Sequence, residues 1–138
     1  MGEAAPHLDL PAGKDAITPM ADWAEARAAA LGLDAGTVFA VRLCVEEAVT
    51  NIVRYAYDGE PGDHHVIGLD ADLRDGSACF SVVDGGRPFD PVSAEEPGRE
   101  GTILDATVGG RGIRLMRQFT KAMRYERRDG RNRLTLVF

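Results

Sequence analysis

Residues 64–83 read HHVIGLDADLRDGSACFSVV, and their alternation decides the fold class. Val66, Leu69, Ala71 and Leu73 stand against His65, Asp70, Asp72 and Arg74, a period of two that predicts a half-buried strand over 64–74. Asp75-Gly76 is a two-residue hairpin signal, and 77–83 form the return strand. The pattern recurs at the other end of the chain. Residues 121–128 and 131–138 flank Asp129-Gly130, a second hairpin. Strands that come in hairpin pairs build an antiparallel sheet.

The segments around these hairpins supply one more strand and the helices. Residues 5–11 alternate through His7, Leu8, Asp9 and Leu10 between prolines, which suits a short edge strand. Residues 15–31 are alanine-rich and helical, with Ile17, Met20, Trp23, Ala26 and Ala30 at spacings of three and four, Pro19 early and Gly32 as the stop. Asp34 is an N-cap for a second helix reaching about Tyr57, whose stripe is Val38, Val45, Val49, Ile52 and Ala56. A turn-rich run, 58–63, precedes the first hairpin. Residues 84–108 show no periodicity, as in a functional or mobile loop. Residues 109–119 form a third helix carrying Ile113, Met116 and Phe119. The order β-α-α-β-β-loop-α-β-β contains no interleaved βαβ unit. It predicts an α+β, two-layer α/β sandwich: a mainly antiparallel sheet covered on one face by about three helices, in a single domain over 1–138.

Composition narrows the function. The chain has 138 residues, 44% of them hydrophobic, and a formal net charge of −6. Basic residues crowd 111–133, but the acidic balance elsewhere disfavours nucleic-acid binding. No apolar run approaches the ~20 residues of a membrane span, and residues 1–11 lack the pattern of a signal peptide. The expectation is a soluble, cytoplasmic protein with no membrane partner. Cys44 and Cys79 are far apart, each between apolar neighbours, and read as buried small hydrophobes rather than a metal or disulfide pair.

Three clusters carry chemistry. In the second helix, Glu47 and Asn51 are one turn apart, so a carboxylate and an amide share a face. The carboxylate can orient or deprotonate a nucleophile, and the amide oxygen is a hard-cation ligand. Leu43 and Cys44 extend that face with apolar residues, which favours a pocket wall over a solvated surface. The second cluster, Asp84-Gly85-Gly86-Arg87-Pro88-Phe89, ends a buried-looking strand. There a carboxylate can accept from an exocyclic amine while glycines admit a flat ring. An ordinary turn reads the same way. In the third, Gly109-Gly110-Arg111-Gly112 opens a helix and can cradle phosphate, although glycines also cap helices.

Taken in order, the clusters resemble the boxes of the GHKL (Bergerat-fold) ATPase superfamily, and within it the RsbW-type anti-sigma-factor serine/threonine kinases. Glu47-Ala-Val-Thr-Asn51, with Ala56-Tyr57 downstream, resembles the N box. Asp84-x-Gly86-x-x-Phe89-Asp90-Pro91 resembles the first glycine box, and Gly109-Gly-Arg-Gly112-Ile-Arg-Leu-Met116 the second. The resemblance covers about residues 7–138. It implies ATP as substrate and Mg²⁺ held by Asn51. Glu47 would be the base toward a serine hydroxyl, Asp84 the partner of the adenine amino group, and Gly86 the opening for the ring. Gly110 and Gly112 would contact phosphate, with Phe89, Gly109 and Arg111 among the nucleotide-binding residues. Arg54, one turn past Asn51, is either a phosphate contact or an outward solvated side chain. The implied partners are an anti-sigma-factor antagonist and a sigma factor, and the family also allows a homodimer.

The chain departs from the family at Tyr55, where a His is common, and at Arg87-Pro88, where many members have a further glycine. The segment 92–108 is short for a lid, as in the anti-sigma kinases. The function implied is transfer of the ATP γ-phosphate to an antagonist serine or threonine, with partner switching of a sigma factor. Two alternatives are an ATP-binding switch module with little catalysis and the ATP-binding piece of a sensor kinase. The latter needs a phosphoacceptor His on a long helix, which none of His7, His64 and His65 provides.

Overall fold

Asp75 and Gly76 take φ of 51° and 80°, and Asp129 and Gly130 take 53° and 75°. Two successive residues at positive φ let a two-residue turn follow the twist of its flanking strands, which explains the Asp-Gly choice at both sites. The computed structural model describes residues 6–56, 65–92 and 110–138, and the main chain alone at 110 and 111. Its elements are β1 (His7–Pro11), a 3₁₀ turn (Lys14–Ala16), α1 (Ile17–Ala30), α2 (Ala35–Asn51), a π-helical turn (Ile52–Ala56), β2 (Val66–Arg74), β3 (Ser77–Asp84), α3 (Gly110–Phe119), β4 (Ala122–Arg128) and β5 (Arg131–Val137).

The five strands form one antiparallel sheet in the order β1-β2-β3-β5-β4. Ile67, Leu69, Phe80, Val82, Leu134 and Leu136 project from it into a single core with Met20, Ala24, Val41, Val45, Val49 and Met116 of the helices. This is the expected α+β sandwich. Fully burying side chains such as Phe80, Met20 and Leu69 contributes about 1.5–3 kcal/mol each. The other sheet face is polar: Ser81 and Thr135, directly opposite in register, hydrogen-bond at 2.8 Å, and His7 lies between Asp9 and Asp70. Among the described residues no helix is long and apolar enough to cross a membrane.

The helix ends follow local rules. Asp34 accepts from the Thr37 N–H at 2.8 Å, as an N-cap does. Gly32, at φ 80°, closes α1: its N–H reaches Ala29 O at 3.0 Å, and the Leu33 N–H reaches Ala28 O at 3.3 Å.

Three expectations need correction. Val66 is 51% exposed, and the inward series of β2 is Ile67, Leu69 and Ala71; Leu73 has that parity but is 51% exposed at the strand end. In α1, Ala26 and Ala30 face solvent while Met20, Ala21, Ala24 and Ala28 are buried. A helix in which six of the 14 residues are alanine has little periodicity to choose a face by, so tertiary packing chose it. Lastly, α-helical winding stops at Asn51, and the chain continues to Ala56 as a π turn. The run 58–63 and the loop beyond 92 lie outside the described residues.

Candidate functional site

Four polar residues are buried among those described: Asn51, Ser81, Asp84 and Asn132. Ser81 is satisfied on the open sheet face. The other three line one cleft, open to solvent. Its walls are Ala48 and Ile52 from α2 and the turn after it, Met116 from α3, and Val82 and Leu134 from the sheet, with Phe89 and Pro91 also on the lining. An apolar slot with a few converging polar groups is the usual form of a small-molecule site.

The sheet end of the cleft is closed by Asp84. Register sets Asn132 of β5 directly opposite it. Asp84 Oδ1 accepts from the Gly86 N–H at 2.8 Å and from Asn132 Nδ2 at 3.1 Å. With both bonds on Oδ1, Oδ2 is the oxygen left to accept from a ligand. Burial pushes the Asp84 carboxyl above the ordinary aspartate range, opposed by those two hydrogen bonds and by the Arg127 charge. The following loop is tied at several points. Arg127 donates to Gly86 O at 2.7 Å, the Arg87 N–H to Ala56 O at 3.1 Å, Asn132 to Arg87 O at 2.9 Å, and Arg117 to Val92 O at 2.8 Å. As far as Val92, the segment expected to be functional or mobile is pinned.

Gly86 differs from its expected use. A side chain there would put its Cβ 2.5 Å from Ala56 Cβ and 2.6 Å from Ala56 O. The space it leaves is taken by the turn after α2 rather than kept for a ring.

On the helix side Asn51 lines the cleft, and Glu47 and the first turn of α3 meet beside it. A side chain at Gly112 would place its Cβ 2.6 Å from Glu47 Oε2 and 3.5 Å from Asn51 Nδ2. Gly112 thus lets the α3 backbone approach the carboxylate and the amide together. Those two side chains share a face because α2 stays α-helical to Asn51. The π turn then changes the winding. A wider turn carries the residue three past Asn51 further from its face and brings the next two toward it. Arg54 is accordingly exposed and off the cleft wall, whereas Tyr55 and Ala56 line it. The buried Tyr55 hydroxyl has no hydrogen-bond partner among the described residues. Cys44, one turn before Glu47, is fully buried, and burial together with the Glu47 charge pushes its thiol up to about 12. It stays protonated and inert, as a small hydrophobe.

Of the residues singled out in the sequence, Asn51, Asp84 and Phe89 line the cleft, and Glu47 and Gly112 meet beside Asn51. Gly110 begins α3. The Arg111 side chain and Gly109 lie outside what is described. Sequence reading missed Asn132, Tyr125 and Arg127. Asn132 carried a signal: it holds the first inward position of a strand whose next inward residues are Leu134 and Leu136.

The donor set suits a nucleotide with its metal. Asn51 offers a buried amide at the cleft wall, Gly112 leaves a cradle that a Cβ would fill, and Asp84 presents an acceptor at the far end. Among the described residues no cluster of His, Cys, Asp and Glu could hold a metal by itself, so a cation would depend on ligand oxygens as well.

Residues 10–138 match the model of the histidine kinase-like ATPase domain. A serine/threonine-protein kinase of Bordetella bronchiseptica, BtrW, is 39% identical over 99 residues, covering 72% of this chain and 68% of that protein. The crystal structure of the RsbU and RsbW domains of Rv1364c from Mycobacterium tuberculosis superimposes with a TM-score of 0.62 at 20% identity, over 96% of this chain and 32% of that one. The histidine kinase domain of a blue-light activated histidine kinase from Erythrobacter litoralis gives 0.52 at 20% identity, over 74% of this chain and 44% of that one. At such identities the structural likeness concerns the fold, and this chain spans less than half of either solved chain.

Proposed function

The chain belongs to the histidine kinase-like ATPase domain family, and from that premise we propose that it is an ATP-dependent protein serine/threonine kinase of the anti-sigma-factor type. The observation that carries the reading is Glu47: its carboxylate lies against the Gly112 backbone, one turn from Asn51, which lines the same cleft as Asp84. A nucleotide with its base on Asp84 extends toward Asn51 and the start of α3. Its terminal phosphate then comes beside the Glu47 carboxylate, which can take a proton from an incoming hydroxyl.

Each residue has a separate task in this reading. Asp84 Oδ2 accepts from the 6-amino group of adenine, and Val82, Met116 and Leu134 cover the ring. Asn51 would hold Mg²⁺ together with the phosphates, and the ion supplies charge neutralisation for the polyphosphate when bound. The N-terminal turn of α3 offers backbone N–H groups and the positive end of its dipole to the phosphates. Glu47 accepts the proton of the attacking serine or threonine hydroxyl as its oxygen bonds to the γ-phosphorus and the bond to ADP breaks. Phosphoryl transfer depends chiefly on positioning and charge stabilisation, so a cleft that fixes both ends of ATP contributes most of the rate.

The substrate would be an anti-sigma-factor antagonist, and the unphosphorylated partner cycle would regulate a sigma factor in the cytoplasm. BtrW carries the name of a serine/threonine kinase, which supports the reaction type. The test is transfer of label from γ-labelled ATP to an antagonist domain bearing the acceptor serine. Wild-type protein should form phosphoserine, and Glu47→Gln should lose roughly 10²–10⁴-fold in rate while still binding ATP. ATP binding without transfer by wild-type protein would instead indicate a nucleotide-dependent binding module.

A further inference from the structure

Asn132 lies outside every motif of the chain, yet it is 5% exposed and touches three parts of the sheet end. Its Nδ2 donates to Asp84 Oδ1 at 3.1 Å and to Arg87 O at 2.9 Å. Its Oδ1 accepts from the Tyr125 hydroxyl and, at 3.4 Å, from the Phe89 N–H. A primary amide has two donor hydrogens and two acceptor lone pairs. All four are used, so Asn132 has none left for a ligand although it lines the cleft.

The partners also settle which way the amide points. Arg87 O can only accept, and the Phe89 N–H can only donate. A flipped amide would set oxygen against the Arg87 carbonyl and the Asp84 carboxylate, and nitrogen against the Phe89 N–H. The donor side therefore faces Asp84. With the Gly86 N–H also on Oδ1 at 2.8 Å, rotation of the carboxylate would forfeit two hydrogen bonds. Oδ1 is held as a pure acceptor, and Oδ2 is the carboxylate oxygen with no partner among the described residues.

We infer that Asn132 is a specificity-determining positioning residue: by fixing the Asp84 carboxylate with an acceptor toward the bound base, it selects 6-amino over 6-oxo purine nucleotides. The inference rests on the nucleotide reading above. A 6-amino purine donates to Oδ2. A 6-oxo purine sets its carbonyl oxygen against Oδ2, and the locked carboxylate cannot turn away. Without Asn132 the carboxylate regains its rotation, and the two bases become more alike to the site. The Tyr125 hydroxyl supports the arrangement one step further out, through Asn132 Oδ1.

The test measures ATP and ITP affinity by calorimetry on the intact chain, alongside thermal melts, for wild type, Asn132→Ala and Tyr125→Phe. Wild type should prefer ATP by about a hundredfold, the order expected when a buried acceptor is left without its donor. Asn132→Ala should weaken ATP binding by about tenfold and narrow the ATP-to-ITP ratio by a similar factor. Tyr125→Phe, which removes one hydroxyl, should narrow the ratio about two- to threefold, and it decides the matter if Asn132→Ala does not fold. If wild type binds ATP and the variants lower only the melting temperature with the ratio unchanged, Asn132 is structural and this inference alone fails. If wild type binds no ATP, the nucleotide reading fails and takes the inference with it.

Discussion

The two ends of the cleft are anchored by opposite means. At the sheet end, Asp84 is a buried carboxylate held through Gly86, Asn132 and, at one remove, Tyr125 and Arg127. On the helix side, Glu47 is half-buried, and the α3 backbone passes close to its carboxylate at Gly112. The first arrangement suits recognition, where a rigid acceptor must reject the wrong partner. The second suits a group that has to meet a protein hydroxyl and take its proton. The two glycines mark the contrast. Gly86 makes room for a piece of this chain's own backbone, whereas Gly112 makes room for the end of the Glu47 side chain.

The largest expected separation is between Glu47→Gln and Asp84→Asn. The first should cost roughly 10²–10⁴-fold in phosphoryl transfer with ATP affinity near wild type. The second should cost about 10–100-fold in ATP affinity, the range of one hydrogen bond to a charged group. It should leave the melting temperature unchanged or raised, because it relieves a buried charge. Stopped-flow binding and single-turnover transfer on both variants check this, and a common loss of both quantities in each variant would erase the division between the ends.

The glycines come next. Gly86→Ala meets backbone and Cβ atoms of Ala56, so the turn after α2 must shift, at about 1–3 kcal/mol. Gly112→Ala meets only the far end of the Glu47 side chain, which can move. It should leave stability within about 1 kcal/mol of wild type yet slow transfer about tenfold by displacing the carboxylate. Denaturant unfolding and transfer assays on the pair would show the pattern, and equal stability losses would break it.

Acidity separates the ends again. The Asp84 pKa is raised by burial, so the folded state holds that proton more tightly than the unfolded chain. The stability owed to this group is therefore fully present below the ordinary value of about 3.9 and falls as pH rises through the raised one. ATP binding runs the other way, because the ionised form is the stronger acceptor and a proton on Oδ2 would oppose the amino group: affinity should hold at neutral pH and fall as pH drops through the raised value. Calorimetric titration across that range reads it directly.

The smallest expected effect lies on the far side of the sheet and serves as a control. The His7 pKa is raised, chiefly by its hydrogen bond to Asp70, with burial opposing and Asp9 adding to the rise. Its contribution to holding β1 is fully present below about 6.5 and is lost as pH rises through the raised value. Amide exchange in β1 should quicken over that window while ATP affinity stays level, which distinguishes the edge strand from the site.

Much of this architecture was legible in the residues. The Asp-Gly turns declared both hairpins because few residue pairs accept two positive φ angles. Gly32 and Asp34 declared the junction between α1 and α2. The Glu47–Asn51 spacing declared a shared helical face, and Cys44 beside it was correctly read as buried. Alanine could not declare a face in α1, and a single alternation could not decide between Val66 and Ile67 for the core. The division at Arg54 and Tyr55 was illegible for another reason. Helical wheels assume one winding, and the π turn after Asn51 changed it.

By itself, then, the sequence determined whatever depends on a few bonds of backbone: turns, caps and the spacing of Glu47 and Asn51. Tertiary structure alone decided which residue each of these would meet. Asn132 is 48 residues from Asp84, and the two are neighbours because β5 inserts between β3 and β4 in a fixed register. Local propensity acts over a turn or two, whereas the partner of a buried carboxylate is set by strand pairing across the whole chain.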